Sequence, residues 1–128
     1  MTTTQRVQLA AAAIVLLLAT LLGAFGTHGL RGNLSPGDWE VYTTAVDYQF
    51  YHGLGLLATA IVAGRVPDSR LIAAAGWLLL AGILLFCGSL YLLAFGAPSL
   101  LGAVAPIGGT AFMLGWLSFA IGVLRQRA

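Results

Sequence analysis

Asp47-Tyr48-Gln49-Phe50-Tyr51-His52 is the stretch on which the reading of the fold turns. It stands at the head of a run that is otherwise apolar, Gly53 to Gly64. Helical spacing puts Tyr48 and His52 four apart and Gln49 and His52 three apart, so the three share a face. Asp47 and Tyr51 stack on an adjoining one. A lone polar side chain facing hydrocarbon is expensive, so a cluster of this kind is expected to turn inward.

Composition supplies the surroundings of that cluster. Of 128 residues, 59% are apolar and 8% are charged, against about 25% charged in an ordinary soluble domain. So few charged groups cannot cover a water-facing surface, and most of the surface is expected to face lipid. All six basic residues are arginines, Arg6, Arg31, Arg65, Arg70, Arg125 and Arg127. They do not gather into the patch that nucleic acid requires, and no nucleic-acid partner is expected. Cys87 is the single cysteine, which rules out an internal disulfide. No linker, charge block or repeat divides the chain, so residues 1–128 read as one transmembrane domain.

Four spans are expected, at about 7–27, 45–64, 71–95 and 103–124. The first reads as a transmembrane helix rather than a signal peptide, being close to the ~20 residues that cross a ~30 Å hydrocarbon core. It ends in Gly23, Gly26 and Gly29, a smooth strip for close helix packing. Ser35-Pro36-Gly37-Asp38 reads as a helix start, with Ser35 as N-cap, Pro36 in the first turn and Asp38 completing a capping box. From Pro36 no strong breaker intervenes before Gly64, so one helix is expected, its first turns in the headgroup layer with Trp39 and Tyr42. Pro106, Gly108 and Gly109 lie near the start of the last span and are expected to bend or loosen it.

Arginine placement orients these spans. Arg6, Arg65, Arg70, Arg125 and Arg127 flank one side and Arg31 alone the other, which predicts a multi-pass protein of the bacterial inner membrane with both termini cytoplasmic. His28, the Asp47–His52 cluster, Ser89 with Tyr91, and Pro106 to Thr110 then all fall in the outer half. The candidate polar pocket is therefore His28, Asp47, Tyr48, Gln49, His52, Ser89 and Tyr91, and His28, Gln49, His52 and Tyr91 are expected to converge.

Two readings of that pocket stand side by side. Its polar groups tie helices together, each bond contributing ~0.6 kcal/mol on average, or they receive a lipid, small molecule or membrane-protein partner. A third reading gives His28 and His52 to a metal, haem or quinone. No His-x-x-x-His or Glu-x-x-His spacing supports it, and no cofactor is expected. Asp47 and His52, five apart, point to different faces, so no catalytic dyad is assigned. Cys87 reads as a small packing residue.

Gly23 to Leu30, Asp47 to His52, Gly88-Ser89-Leu90-Tyr91, Pro106-Ile107-Gly108-Gly109 and Gly115-Trp116 together resemble the YgdD/YwdK-type family of small bacterial inner-membrane proteins of uncharacterised function. The resemblance covers nearly the whole chain and its pattern falls on His28, Tyr48, Gln49, His52, Ser89, Tyr91, Pro106, Gly108 and Gly109. It implies four membrane helices and brings no reaction or cofactor. Thr27 stands where a small Ala is usual and Cys87 where Ser is frequent.

The expected fold is thus all-α, an integral membrane bundle of four antiparallel transmembrane helices whose second helix extends into the outer interface. The expected function is non-enzymatic binding of a lipid, small molecule or protein partner, including a role as an accessory subunit. An oligomeric transporter or channel is the alternative, and homo-oligomers are compatible with either.

Overall fold

The computed structural model describes residues 1–127. Helix α1 (Thr3–Phe25) passes into a π-helical turn, Gly26–Leu30. Helix α2 (Pro36–Arg65) follows, then α3 (Arg70–Gly82), a π-helical turn (Ile83–Cys87) and α4 (Gly88–Ala94), which together form one rod. A 3₁₀ turn, Ser99–Ala103, leads into α5 (Val104–Leu124). Among the described residues there is no strand.

Local chemistry sets these boundaries. Thr2 Oγ1 accepts from Gln5 N–H at 3.1 Å and Ser35 Oγ from Asp38 N–H at 3.1 Å, each satisfying a donor that a helix start leaves orphaned. Pro36 occupies the first turn of α2, where no intrahelical donor is lost. The break-free helix expected from Pro36 to Gly64 is present and runs on to Arg65. Gly96, at φ 88°, turns the chain after α4, a conformation that side-chain-bearing residues rarely take.

Two expectations about regularity change. The third apolar run is not one uniform α-helix, because the π-helical turn Ile83–Cys87 interrupts it. Pro106 does not bend the last helix, because it falls in the first turn of α5. The departure from α-helical geometry lies before it, in the tighter 3₁₀ turn Ser99–Ala103.

Three helical segments are long and apolar enough to cross a membrane by length and composition: Thr3–Leu30, Arg70–Ala94 and Ser99–Leu124. Helix α2 is not among them, since any span drawn through it takes in the polar stretch Tyr48 to His52. Its 30 residues reach about 45 Å at 1.5 Å per residue.

Glycines set how the helices meet. Along α1 and α2, a Cβ on Gly53 would lie 2.9 Å from Leu16, and one on Gly23 would lie 3.5 Å from Val46. Gly64 sits against Gln5 at the other end of the same seam, so α2 runs back along α1 for nearly its whole length. Between the third rod and α5, Gly115 packs on Leu79 and Gly122 on Ile72, while Gly108 lies against the backbone of Phe86. Close approach of this kind through small residues is the usual basis of helix association where lipid surrounds the helices. The third rod lies between α2 and α5, and α1 has no seam with α5. Val15, Ala45, Leu79, Ile83, Cys87 and Phe112 form the main buried cluster; Tyr42, Val46 and Ala94 form a second.

Candidate functional site

The polar stretch at the head of the second apolar run divides between two faces of α2. On one, Gln49 is 5% exposed and bonded twice. Its Nε2–H donates to the Val15 carbonyl at 2.9 Å, and its Oε1 accepts from the Tyr91 hydroxyl at 2.6 Å. One amide therefore ties α1, α2 and α4 together.

Beside that tie, α1 and the third rod diverge. A groove of about 240 Å³ opens between them, lined by Val15, Leu18 and Leu22 on one side and Ile83, Leu84, Cys87 and Gly88 on the other, with Gln49 and Tyr91 in its wall. Ile83, Leu84 and Cys87 all belong to the π-helical turn. The wider turn places these side chains on one wall, and such insertions recur at functional sites.

On the other face, His52 is 8% exposed and stacks on Phe112, with ring centroids 3.6 Å apart and planes 11° from parallel. Tyr48 lies 5.6 Å and Trp116 6.0 Å from the same imidazole, and Tyr48 also meets Phe86 at 4.9 Å. His52 Nδ1–H donates to the Tyr48 carbonyl at 3.0 Å. A carbonyl can only accept, so the proton is assigned to Nδ1 and the neutral ring keeps its lone pair at Nε2.

Convergence of His28, Gln49, His52 and Tyr91 is not observed. Gln49 and Tyr91 meet; His52 turns toward α5; His28 lies exposed in the first π-helical turn. Asp47 is exposed and lines a separate cleft of about 180 Å³ with Gly23, Thr27, Trp39 and Tyr42. Tyr48 is 39% exposed, and Ser89 Oγ donates within its own helix to the Phe86 carbonyl at 2.9 Å. Gly23 and Gly26 lie on the α1–α2 seam and Gly108 on the α5 seam. Gly29 instead packs on its own helix's Phe25, Gly109 only approaches Phe86, and Pro106 is exposed. Among the described residues, no three of His, Cys, Asp and Glu come together in a group able to hold a metal ion.

Three residues matter that the sequence did not place among the buried contacts. Tyr42, 1% exposed, donates its hydroxyl hydrogen to the Leu22 carbonyl and lies over Gly26. Phe112 joins the two aromatic layers around His52. Gln8, fully buried, donates from Nε2 to the Ala73 carbonyl at 2.9 Å, and its Oε1 has no partner among the described residues. The signal for Gln8 was available: with Thr20 it is one of two polar residues in the first apolar run.

Comparison with known proteins adds a family without a chemistry. A family model described as a protein of unknown function, DUF423, matches residues 22–109. That segment contains Gln49, His52 and Tyr91 and the whole π-helical turn Ile83–Cys87. The UPF0382 membrane protein YwdK of Bacillus subtilis is 43% identical over 88% of this chain and 92% of its own. A UPF0382 membrane protein of Staphylococcus epidermidis is 45% identical over 85% of this chain and 88% of its own. One from Haemophilus influenzae is 40% identical over 84% and 85%. No solved structure matches the chain.

Proposed function

This chain belongs to the DUF423 family of UPF0382 membrane proteins, and from that premise we propose that it is a non-enzymatic protein that seats a lipid chain in the groove beside Gln49 and Tyr91. The observation that carries this reading is the groove itself. Its walls are aliphatic, its two polar side chains already bond one another, and no charged residue lines it. Such a lining favours a hydrocarbon chain over an ion or a polar metabolite, since each unpaired polar group placed there would lose its hydration. Gly53, Gly108, Gly115 and Gly122, which would suit a helical partner, are taken up by this chain's own helices, which favours lipid over an accessory role.

The proposed setting is the bacterial inner membrane, crossed four times, with both termini in the cytoplasm. Supporting the fourth crossing, α2 lies antiparallel along α1 from Val46 against Gly23 to Gly64 against Gln5. A helix paired in this way with one that crosses ends on the side where its partner begins. Supporting the orientation, four spans gather five of the six arginines on the side of the termini.

Native mass spectrometry of the purified protein tests the groove. The wild type should retain one more lipid through gentle delipidation than Leu18→Trp, which fills the groove from α1, with helix content the same in both. Retention of that lipid by a folded Leu18→Trp protein refutes the reading.

A further inference from the structure

We propose a second lipid site at the opposite end of the molecule, where a cavity beside Arg65 takes the phosphodiester headgroup of an anionic phospholipid. The cavity, about 350 Å³, is lined by Arg65, Val66, Pro67, Asp68, Ser69 and Gln126. It lies where Gln126, just past the end of α5, meets the α2–α3 connection. That connection is closed by Ser69 N–H donating to the Val66 carbonyl at 3.0 Å. Helix α5 is drawn to it by Gly122, which packs on Leu71 and Ile72, and by Ser118 Oγ, which donates to the Leu71 carbonyl at 2.7 Å.

Charge identifies the occupant. Arg65 is on the wall, Arg70 directly follows Ser69, and Arg125 and Arg127 bracket Gln126. Asp68 is the one acidic residue lining the cavity. Guanidinium groups present a planar fork of donors that matches phosphate oxygens, and they stay charged at any physiological pH. Gln126 Nε2 is committed to the Gly122 carbonyl at 2.9 Å, so Arg65 is the one charged donor on the wall, with Arg70, Arg125 and Arg127 adjoining it in sequence. A lipid is favoured over a soluble phosphate by what lies next to the cavity. Leu124, 84% exposed, begins the apolar surface of α5 immediately before Arg125, so a headgroup held here has its chains already beside the helix.

The test uses the full chain in mixed-lipid nanodiscs, with retained lipids counted by native mass spectrometry after competition among phosphatidylglycerol, phosphatidylethanolamine and phosphatidylcholine. Phosphatidylglycerol should be preferred, and Arg65→Gln should reduce the preference about fivefold, the effect of one arginine at a charged membrane surface. Asp68→Asn should raise it, a gain that misfolding cannot imitate. Arg31→Gln, at the far end, should leave it unchanged, while Leu18→Trp should remove the groove lipid and leave the effects of Arg65→Gln and Asp68→Asn in place, which separates this site from the groove. Equal retention of the three lipids overturns the proposal. So does a preference for phosphatidylethanolamine that Asp68→Asn removes, since the acid would then be holding an amine. Displacement by millimolar glycerol phosphate would assign the cavity to a soluble anion instead.

Discussion

Tyr91 donates its hydroxyl hydrogen to Gln49 Oε1 across 2.6 Å, while the same amide donates to the Val15 carbonyl at 2.9 Å. The pair therefore forms one wall of the groove and also keeps the helices around it in register. Gln49 is the shared member: without it Tyr91 loses its acceptor, whereas without Tyr91 the amide still holds α1. The asymmetry gives the tie an internal order that substitution can read.

Gln49→Leu should accordingly destabilise the protein more than Tyr91→Phe. Interhelical hydrogen bonds in membranes average ~0.6 kcal/mol with a maximum near ~1.7 kcal/mol, so about 1–2 kcal/mol is expected for the first and under about 1 kcal/mol for the second. Unfolding in mixed micelles measures both. The double variant should cost less than the sum, because both changes delete the same bond; strict additivity would mean that the bond contributes nothing.

Glycine substitutions should rank by what the new methyl group meets. A Cβ on Gly108 would lie 2.8 Å from the Cα of Phe86, which cannot step aside without moving the third rod. One on Gly55 would lie 2.7 Å from Cζ2 of Trp116, a ring that is 40% exposed and free to swing. One on Gly88 would meet nothing within 4 Å. Gly108→Ala should thus cost about 1–3 kcal/mol, Gly55→Ala less, and Gly88→Ala nothing or a slight gain from helix propensity. Equal melting temperatures for the three variants would contradict this packing.

Much of this arrangement was legible. Apolar run lengths gave the helices, Ser35 and Pro36 gave the start of α2, and the glycines gave seams, because each of these signals is local. The site was only partly legible. Gln49 and His52 are three apart, and three positions leave an offset of about 60° around a helix. That suffices to send one toward α1 and the other toward Phe112 when neighbours enclose α2 on more than one side. Nothing in Ile83 to Cys87 announces a π-helical turn, since Leu, Ile and Phe suit an ordinary α-helix equally well. Tyr42 read as an interfacial anchor, and only the bare surface of Gly26 beneath it makes it a core residue.

Gln8 tests whether an unpaired buried carbonyl is a burden or a contact waiting for a partner. Its Nε2 holds the Ala73 carbonyl, but its Oε1 lies beside Gly76 without a hydrogen bond among the described residues. Leaving such an acceptor unmade costs roughly 1–3 kcal/mol, at least as much as its one bond returns. Gln8→Leu should therefore change stability by less than about 0.5 kcal/mol, well below Gln49→Leu. A loss above about 1.5 kcal/mol would show that Oε1 is satisfied in the membrane, by an ordered water or a bound donor, as buried polar groups generally are.

Labelling can separate four crossings from three. Single cysteines replace Asn33 and Asp68 in a Cys87→Ala background, Cys87 itself being 1% exposed. The arginine count alone does not decide between the two arrangements. If α2 crosses, Arg31 stands alone; if it lies in the interface, Arg6 does, and the rule would then turn the N-terminus outward. The α1–α2 seam breaks the tie, since Gly64 against Gln5 returns α2 to the level where α1 begins. In intact cells a membrane-impermeant maleimide should therefore label position 33 and reach position 68 only after permeabilisation. Labelling of both would leave α2 uncrossed with the N-terminus inside, and labelling of neither would leave it uncrossed with the N-terminus outside. Labelling of 68 alone would keep four crossings and reverse them, which five arginines against one make unfavourable.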